Sequence, residues 1–319
     1  MRPLRPTFSA AGTGVRAVCA GASLLFALSV HGLGARRAVT TVPATRPVRP
    51  STRPAKYPPD KLVEACRRKA ADLRRKHGAT LNVTVHPPFV VAGDMPVRNL
   101  ESYAKWSVVR PAEAMWASYF HKKPDKVITI LLFASGPSYA RWAKKDYPGG
   151  GFPYFGYYMP TNRTMVMNIR TGTGTLVHEL THALIVYDFP RVPTWFNEGL
   201  ASLHEQCNVK QREIVGLTNW RLPGLHAAIR KGTLRPLKEL VTRRDFYGRQ
   251  QGNNYAQARY FCMYMQHRKL LRKFYRHFRD HHRGRDADVA AIEHVFGRKL
   301  PDIEKDYLAW VKTLKFRSR

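Results

Sequence analysis

The residues best suited to chemistry lie in Thr175-Leu-Val-His178-Glu179-Leu-Thr-His182-Ala-Leu-Ile. On a helix, positions i and i+4 share one face, so His178 and His182 can present two imidazoles to a single cation. Glu179 follows the first histidine by one residue and points about 100° round the helix. It is turned too far to complete the ligand set, yet it can reach a water molecule activated by the ion. Zinc is the ion such imidazoles suit; it brings the pKa of water toward neutrality, and a carboxylate can then take the proton.

A third ligand is offered further on, in Pro193-Thr-Trp195-Phe-Asn197-Glu198-Gly199-Leu-Ala201. Glu198, on a second helix after a short loop with Pro190 and Pro193, makes a His, His, Glu set with the fourth position open to water. The small Gly199 and Ala201 permit close helix approach. The alternative is an exported basic binding protein whose metal site is structural or vestigial. Glu179 discriminates between the two, because a structural site has no use for a base.

The elements that must position these residues follow from patterning. Asp60 is a plausible N-cap for a helix over 61–77, closed by Gly78. Two β-like runs follow at 81–85 and 89–91, then a long helical stretch over about 100–120. The uncharged, β-branched run 127–133 predicts a buried strand, 137–146 a helix ended by three glycines, and 164–169 another strand. From Thr175 the pattern turns helical and stays mostly so. The expectation is an α+β chain: a mixed α/β part carrying the active-site helix (60–200), then a mainly helical part (201–319).

HELTHAL followed by PTWFNEGLA resembles the gluzincin metallopeptidases, sharing a WFNEGLA-like segment with the M1 aminopeptidases. The wider layout, over roughly 80–310, is similar to the bacterial peptidase MA-like group, including the DUF1570 proteins. It includes Phe89-Val-Val-Ala-Gly-Asp, Gly156-Tyr-Tyr, Gly216-Leu-Thr-Asn-Trp-Arg-Leu-Pro-Gly and Asn254-Tyr255-Ala-Gln-Ala-Arg-Tyr. The resemblance implies a zincin-like fold, one zinc per chain on His178, His182 and Glu198, Glu179 as general base, and a peptide or protein substrate. It also implies that the strand at 164–169 borders the cleft and pairs with an extended substrate. A tyrosine or histidine from the C-terminal helices would hold the oxyanion. Tyr255 is the candidate, with Tyr247, Tyr260 and Tyr264 as competitors. No GxMEN-like exopeptidase motif is present, which counts against an aminopeptidase and leaves an endopeptidase or a hydrolase of another substrate.

The ends and the charge speak to location and partners. Arg2, Arg5 and Arg16 precede an apolar run over 18–30, with Gly32 and Gly34 after it. This reads as a signal peptide (1–34) of an exported protein, too short to span a bilayer comfortably. A Pro/Arg-rich linker follows over 35–59. Cys19 belongs to the signal; Cys66, Cys207 and Cys262 remain, an odd number with no CxxC pair, best read as buried small hydrophobes. The net charge is +32, from 54 Lys+Arg against 22 Asp+Glu, a field that attracts polyanions without specifying which. Residues 266–285 hold eight of those cations, interleaved with Leu271, Phe274, Tyr275 and Phe278. They predict an amphipathic helix packed on the core with a solvated basic face; the functional alternative is a dock for an anionic polymer or membrane surface. No nucleic-acid-binding motif is present, so no specific nucleic-acid partner is expected.

Overall fold

The computed structural model describes residues 59–316 apart from Arg285. The expected signal and all of the linker but Pro59 lie outside these residues. Helix α1 (Pro59–His77) leads into the antiparallel pair β1 (Asn82–His86) and β2 (Phe89–Gly93). A run of α2 (Val97–Tyr103), a π-helical segment (Ala104–Val109) and α3 (Arg110–Ser118) takes the place of the single helix expected over 100–120. The hydrogen-bonding pattern widens just before Pro111, which has no N–H to continue an α-helical ladder. Strand β3 (Ile128–Phe133), helix α4 (Gly136–Asp146), and strands β4 (Gly156–Met159) and β5 (Thr164–Asn168) follow.

The five strands form one sheet in the order β1-β2-β3-β5-β4, parallel between β2, β3 and β5 and antiparallel at both edges. Strand β3 is buried at every position because both faces of the sheet are covered. Ile128, Ile130 and Leu132 face the main core, while Leu131 and Phe133 face a smaller cluster with Cys66, Ala70 and Leu73 of α1 and Tyr139 and Ala143 of α4. The uninterrupted apolar run at 127–133 is the signature of this double burial.

Beyond the sheet come α5 (Gly174–Asp188), α6 (Thr194–His204), a hairpin of β6 (Cys207–Lys210) and β7 (Glu213–Gly216), and helices α7 (Leu222–Arg230), α8 (Leu237–Thr242), α9 (Gln251–His267), α10 (Leu271–His281), α11 (Ala287–Phe296) and α12 (Leu300–Thr313). The mixed α/β architecture is as expected. The hairpin was not anticipated: its strands are four residues long and half exposed, too short to show a period. The boundary expected near residue 200 falls inside α6, and one apolar core runs from Phe89 to Val311 across it.

Within residues 266–285, α10 turns Leu271, Phe274, Tyr275 and Phe278 inward and leaves Arg272, Lys273 and Arg276 exposed, while Arg279 is largely buried. Arg272 pairs with Glu213 and Arg279 with the buried Asp188. Cys66, Cys207 and Cys262 are all free thiols. Among the described residues no helix is long and apolar enough to cross a membrane.

Candidate active site

Helix α5 is held by Leu176, Val177, Leu180, Ala183, Leu184 and Ile185, all buried, which present one side of the helix to a cleft. A loop of five residues, ending on Pro193, reverses the chain into α6, where Trp195 and Phe196 anchor the first turn in the core. Gly199 was expected to bring the two metal-binding helices together. It instead packs α6 on α9: a β-carbon there would lie 2.9 Å from the Ala258 carbonyl oxygen and 3.0 Å from Cys262 Sγ. Close approach to α5 is made at Gly174, where a β-carbon would lie 2.6 Å from the Glu205 carbonyl oxygen.

These contacts bring His178, His182 and Glu198 together, one ligand atom from each lying within 4.8 Å of the others. The two Nε2 atoms are 3.0 Å apart, and Glu198 Oε2 is 3.5 Å from each. Zinc with bonds of about 2.0–2.1 Å at tetrahedral angles places its ligand atoms about 3.3 Å apart. The observed triangle therefore fits such an ion. Glu198 Oε2 is buried and accepts no hydrogen bond among the described residues, as a ligand oxygen would.

The outer nitrogens support this fit. His182 Nδ1 lies 2.9 Å from Asn197 Oδ1, an acceptor, which puts the proton on Nδ1 and leaves Nε2 with its lone pair. His178 Nδ1 lies 3.2 Å from Glu205 Oε1, close enough to pair though not aligned as a full hydrogen bond. Glu205 is braced in turn by Arg221, whose Nε and a terminal nitrogen donate at 3.1 and 2.9 Å, and by Asn219. Two bare imidazole nitrogens facing each other at 3.0 Å repel unless a proton or cation lies between them.

The electrostatics favour positive charge at this point. Burial works against a charged His178, yet Glu198 and Glu205 overcome it and push its pKa up to about 10. Burial likewise opposes ionisation of Glu198, but His182 and His178 hold its carboxyl well below the usual range. Glu179 is different: burial raises its carboxyl, and the two histidines only partly offset this. Its side chain lines the cleft and has no hydrogen-bond partner among the described residues. A carboxyl so placed, with its proton affinity raised, can take a proton from a water molecule in the cleft.

The tyrosines separate clearly. Tyr260 is spent on Asn219, and Tyr264 packs among Phe296, Tyr307 and Trp310. Tyr255 and Tyr247 both line the cleft beside Glu198. Tyr247 donates to Glu198 Oε1 at 2.7 Å, leaving Oε2 to face the histidines. Burial, then the Glu198 carboxylate, pushes the Tyr255 hydroxyl well up, so it stays a donor at neutral pH. Sequence reasoning left Asn197, Glu205 and Arg221 unnoticed. Asn197 adjoins Glu198, and Glu205 follows it by seven residues, two helical turns, so those two carried a local signal; Arg221 lies in a segment that the resemblance covers, Gly216 to Gly224, but nothing local gave it a role.

The cleft encloses about 1430 Å³. The strand expected along its edge, 164–169, is corrected: β5 is hydrogen-bonded on both sides, to β3 and to β4, and has no free backbone. The edge belongs to β4, which among the described residues pairs only with β5 and whose residues line the cleft. No protein-family model matches the chain, and no curated protein matches it.

Proposed function

We propose that this chain is an exported zinc-dependent peptidase of the gluzincin type, with a zincin-like fold and one zinc held by His178, His182 and Glu198. The observation that carries the reading is the triangle of two imidazole nitrogens and a buried, otherwise unsatisfied carboxylate oxygen, with an unpaired Glu179 in the same cleft. A bound zinc ion supplies Lewis acidity, polarising a substrate carbonyl and making water more acidic.

The chain's own residues do the rest. Glu179 takes a proton from the attacking water and returns it to the departing amine, so peptide and water yield a carboxylate and an amine. Tyr255 donates to the carbonyl oxygen as negative charge develops there. The open side of β4 pairs with the backbone of an extended substrate, aligning the scissile bond. Asn197 and Glu205 hold the imidazoles in the tautomer that leaves both Nε2 atoms free. The exposed cations of α10 suit contact with an anionic polymer or membrane surface.

Zinc analysis and peptide hydrolysis test this together. Wild type carries about one zinc per chain and cleaves peptides, and His182→Ala loses the metal. Glu179→Gln keeps the zinc and loses on the order of a thousandfold in rate. Equal zinc in wild type and His182→Ala, or full activity in Glu179→Gln, sinks the proposal.

A further inference from the structure

The described residues expose eight large apolar side chains, and five of them, Trp106, Phe155, Val186, Trp220 and Tyr247, line this one cleft. Scattered single apolar residues are ordinary on a surface, but convergence on one concave site marks a binding surface. They come from separate parts of the chain. Trp106 stands on the π-helical segment, Phe155 just before β4, Val186 one turn beyond His182 on α5, Trp220 before α7 and Tyr247 between α8 and α9. Trp106 and Trp220 are each 52% exposed, so neither is needed to fill the core.

The charged groups lining the cleft outside the metal centre are already engaged. Asp146 accepts from the Tyr157 hydroxyl, and Glu205 and Arg221 hold each other beside His178. Arg110 donates to the Val209 carbonyl and lies over the Trp106 ring at 4.8 Å. The walls therefore offer apolar and aromatic surface for recognition, despite the strong positive charge of the chain as a whole.

We infer that the cleft selects extended peptides carrying aromatic or large aliphatic side chains on both sides of the cleaved bond, in preference to acidic or basic ones. This rests on the peptidase reading. A peptide fits better than a glycan, which would also stack on tryptophan, because the free edge of β4 offers a row of backbone donors and acceptors beside the metal-binding face of α5. Backbone pairing supplies alignment, and the apolar rims supply the choice of side chain.

The test uses quenched fluorescent peptides of one length, with Phe, Leu, Glu or Lys flanking the central bond, and chitooligosaccharides as the glycan probe. Zinc-loaded wild type is expected to show kcat/KM at least about tenfold higher for Phe and Leu peptides than for Glu or Lys ones. Trp106→Ala and Trp220→Ala should each erode that preference several-fold, mainly through KM, whereas Val97→Ala, an exposed apolar residue outside the cleft, leaves it unchanged. The same probes are titrated against zinc-loaded Glu179→Gln. Selective binding of Phe and Leu peptides with no cleavage by wild type supports the inference and removes the peptidase reading. Cleavage without side-chain preference, or favouring Glu or Lys peptides, overturns the inference and leaves the peptidase intact. Binding of the glycan alone, or of no probe, overturns it as well.

Discussion

Glu205→Gln isolates the support beneath the proposed metal centre. Glu205 offers four acceptor positions to three partners: Oε1 faces His178 Nδ1 at 3.2 Å and an Arg221 terminal nitrogen at 2.9 Å, and Oε2 faces Arg221 Nε at 3.1 Å and Asn219 Nδ2 at 3.4 Å. Glutamine keeps the shape but replaces one oxygen by an NH2 group. Whichever way the amide turns, that group meets two donors. At least one charge-assisted bond to Arg221 is lost, and its guanidinium, four-fifths buried, faces a neutral partner. Breaking a buried pair in this way costs about 3–5 kcal/mol. For a chain of this size that lowers Tm by roughly 6–15 °C in the metal-free protein. Because His178 also loses its orienting carboxylate, zinc affinity should fall about 10–100-fold. Competition against a chromogenic chelator measures the affinity, and thermal melting of the metal-free protein measures the stability. Glu239→Gln, at the exposed pair with Arg243, is the control and should leave both Tm and zinc affinity close to wild type. A Glu205→Gln protein that melts lower but binds zinc within twofold of wild type would refute the reasoning, reducing Glu205 to a brace for Arg221.

Three further outcomes are expected. Tyr255→Phe should lower kcat about a hundredfold while KM, zinc content and Tm stay close to wild type, whereas Tyr247→Phe, which removes the 2.7 Å donor to Glu198, should weaken zinc binding about tenfold; full kcat in Tyr255→Phe would shift the oxyanion role to Tyr247. Gly199→Ala puts a methyl group 2.9 Å from the Ala258 carbonyl oxygen, so α6 and α9 must separate, at a cost of about 1–3 kcal/mol read as a lower Tm. Burial, followed by Arg259 and His178, depresses the pKa of His204 to about 3. Its folded form therefore stays neutral while the unfolded chain takes up a proton below about pH 6.5, and this group removes up to about 1.4 kcal/mol of stability per pH unit as pH falls from there toward 3. Urea unfolding at pH 7 and pH 5 should show a shallower loss in His204→Phe than in wild type, and equal losses would remove the assignment.

Much of the site was legible in the chain because helical geometry is local. The four-residue spacing of His178 and His182 puts both imidazoles on one face of α5 whatever surrounds it, and the offset of Glu179 sets it beside that face rather than in the triangle. The strand at 128–133 announced its burial through an uncharged, branched run, and α1 its end through Gly78, whereas Asp60, expected as the N-cap, lies in the first turn because the helix starts at Pro59. Other features depend on which distant segments pack together, and spacing carries no record of that. Strands 156–159 and 164–168 are neighbours in the chain and in the sheet, but only sheet order decides that β4 is the edge and lines the cleft. Tyr247, Tyr255, Tyr260 and Tyr264 are alike as sequence; the packing of α9 against α6 and α12 turns Tyr255 to Glu198 and Tyr260 and Tyr264 into the core, while the connection between α8 and α9 brings Tyr247 to Glu198. Arg221 reaches Glu205 only because the β6–β7 hairpin folds the intervening chain back on itself. Local backbone periodicity thus determined which residues could act together within one helix. Long-range burial of apolar faces decided which partners those residues met.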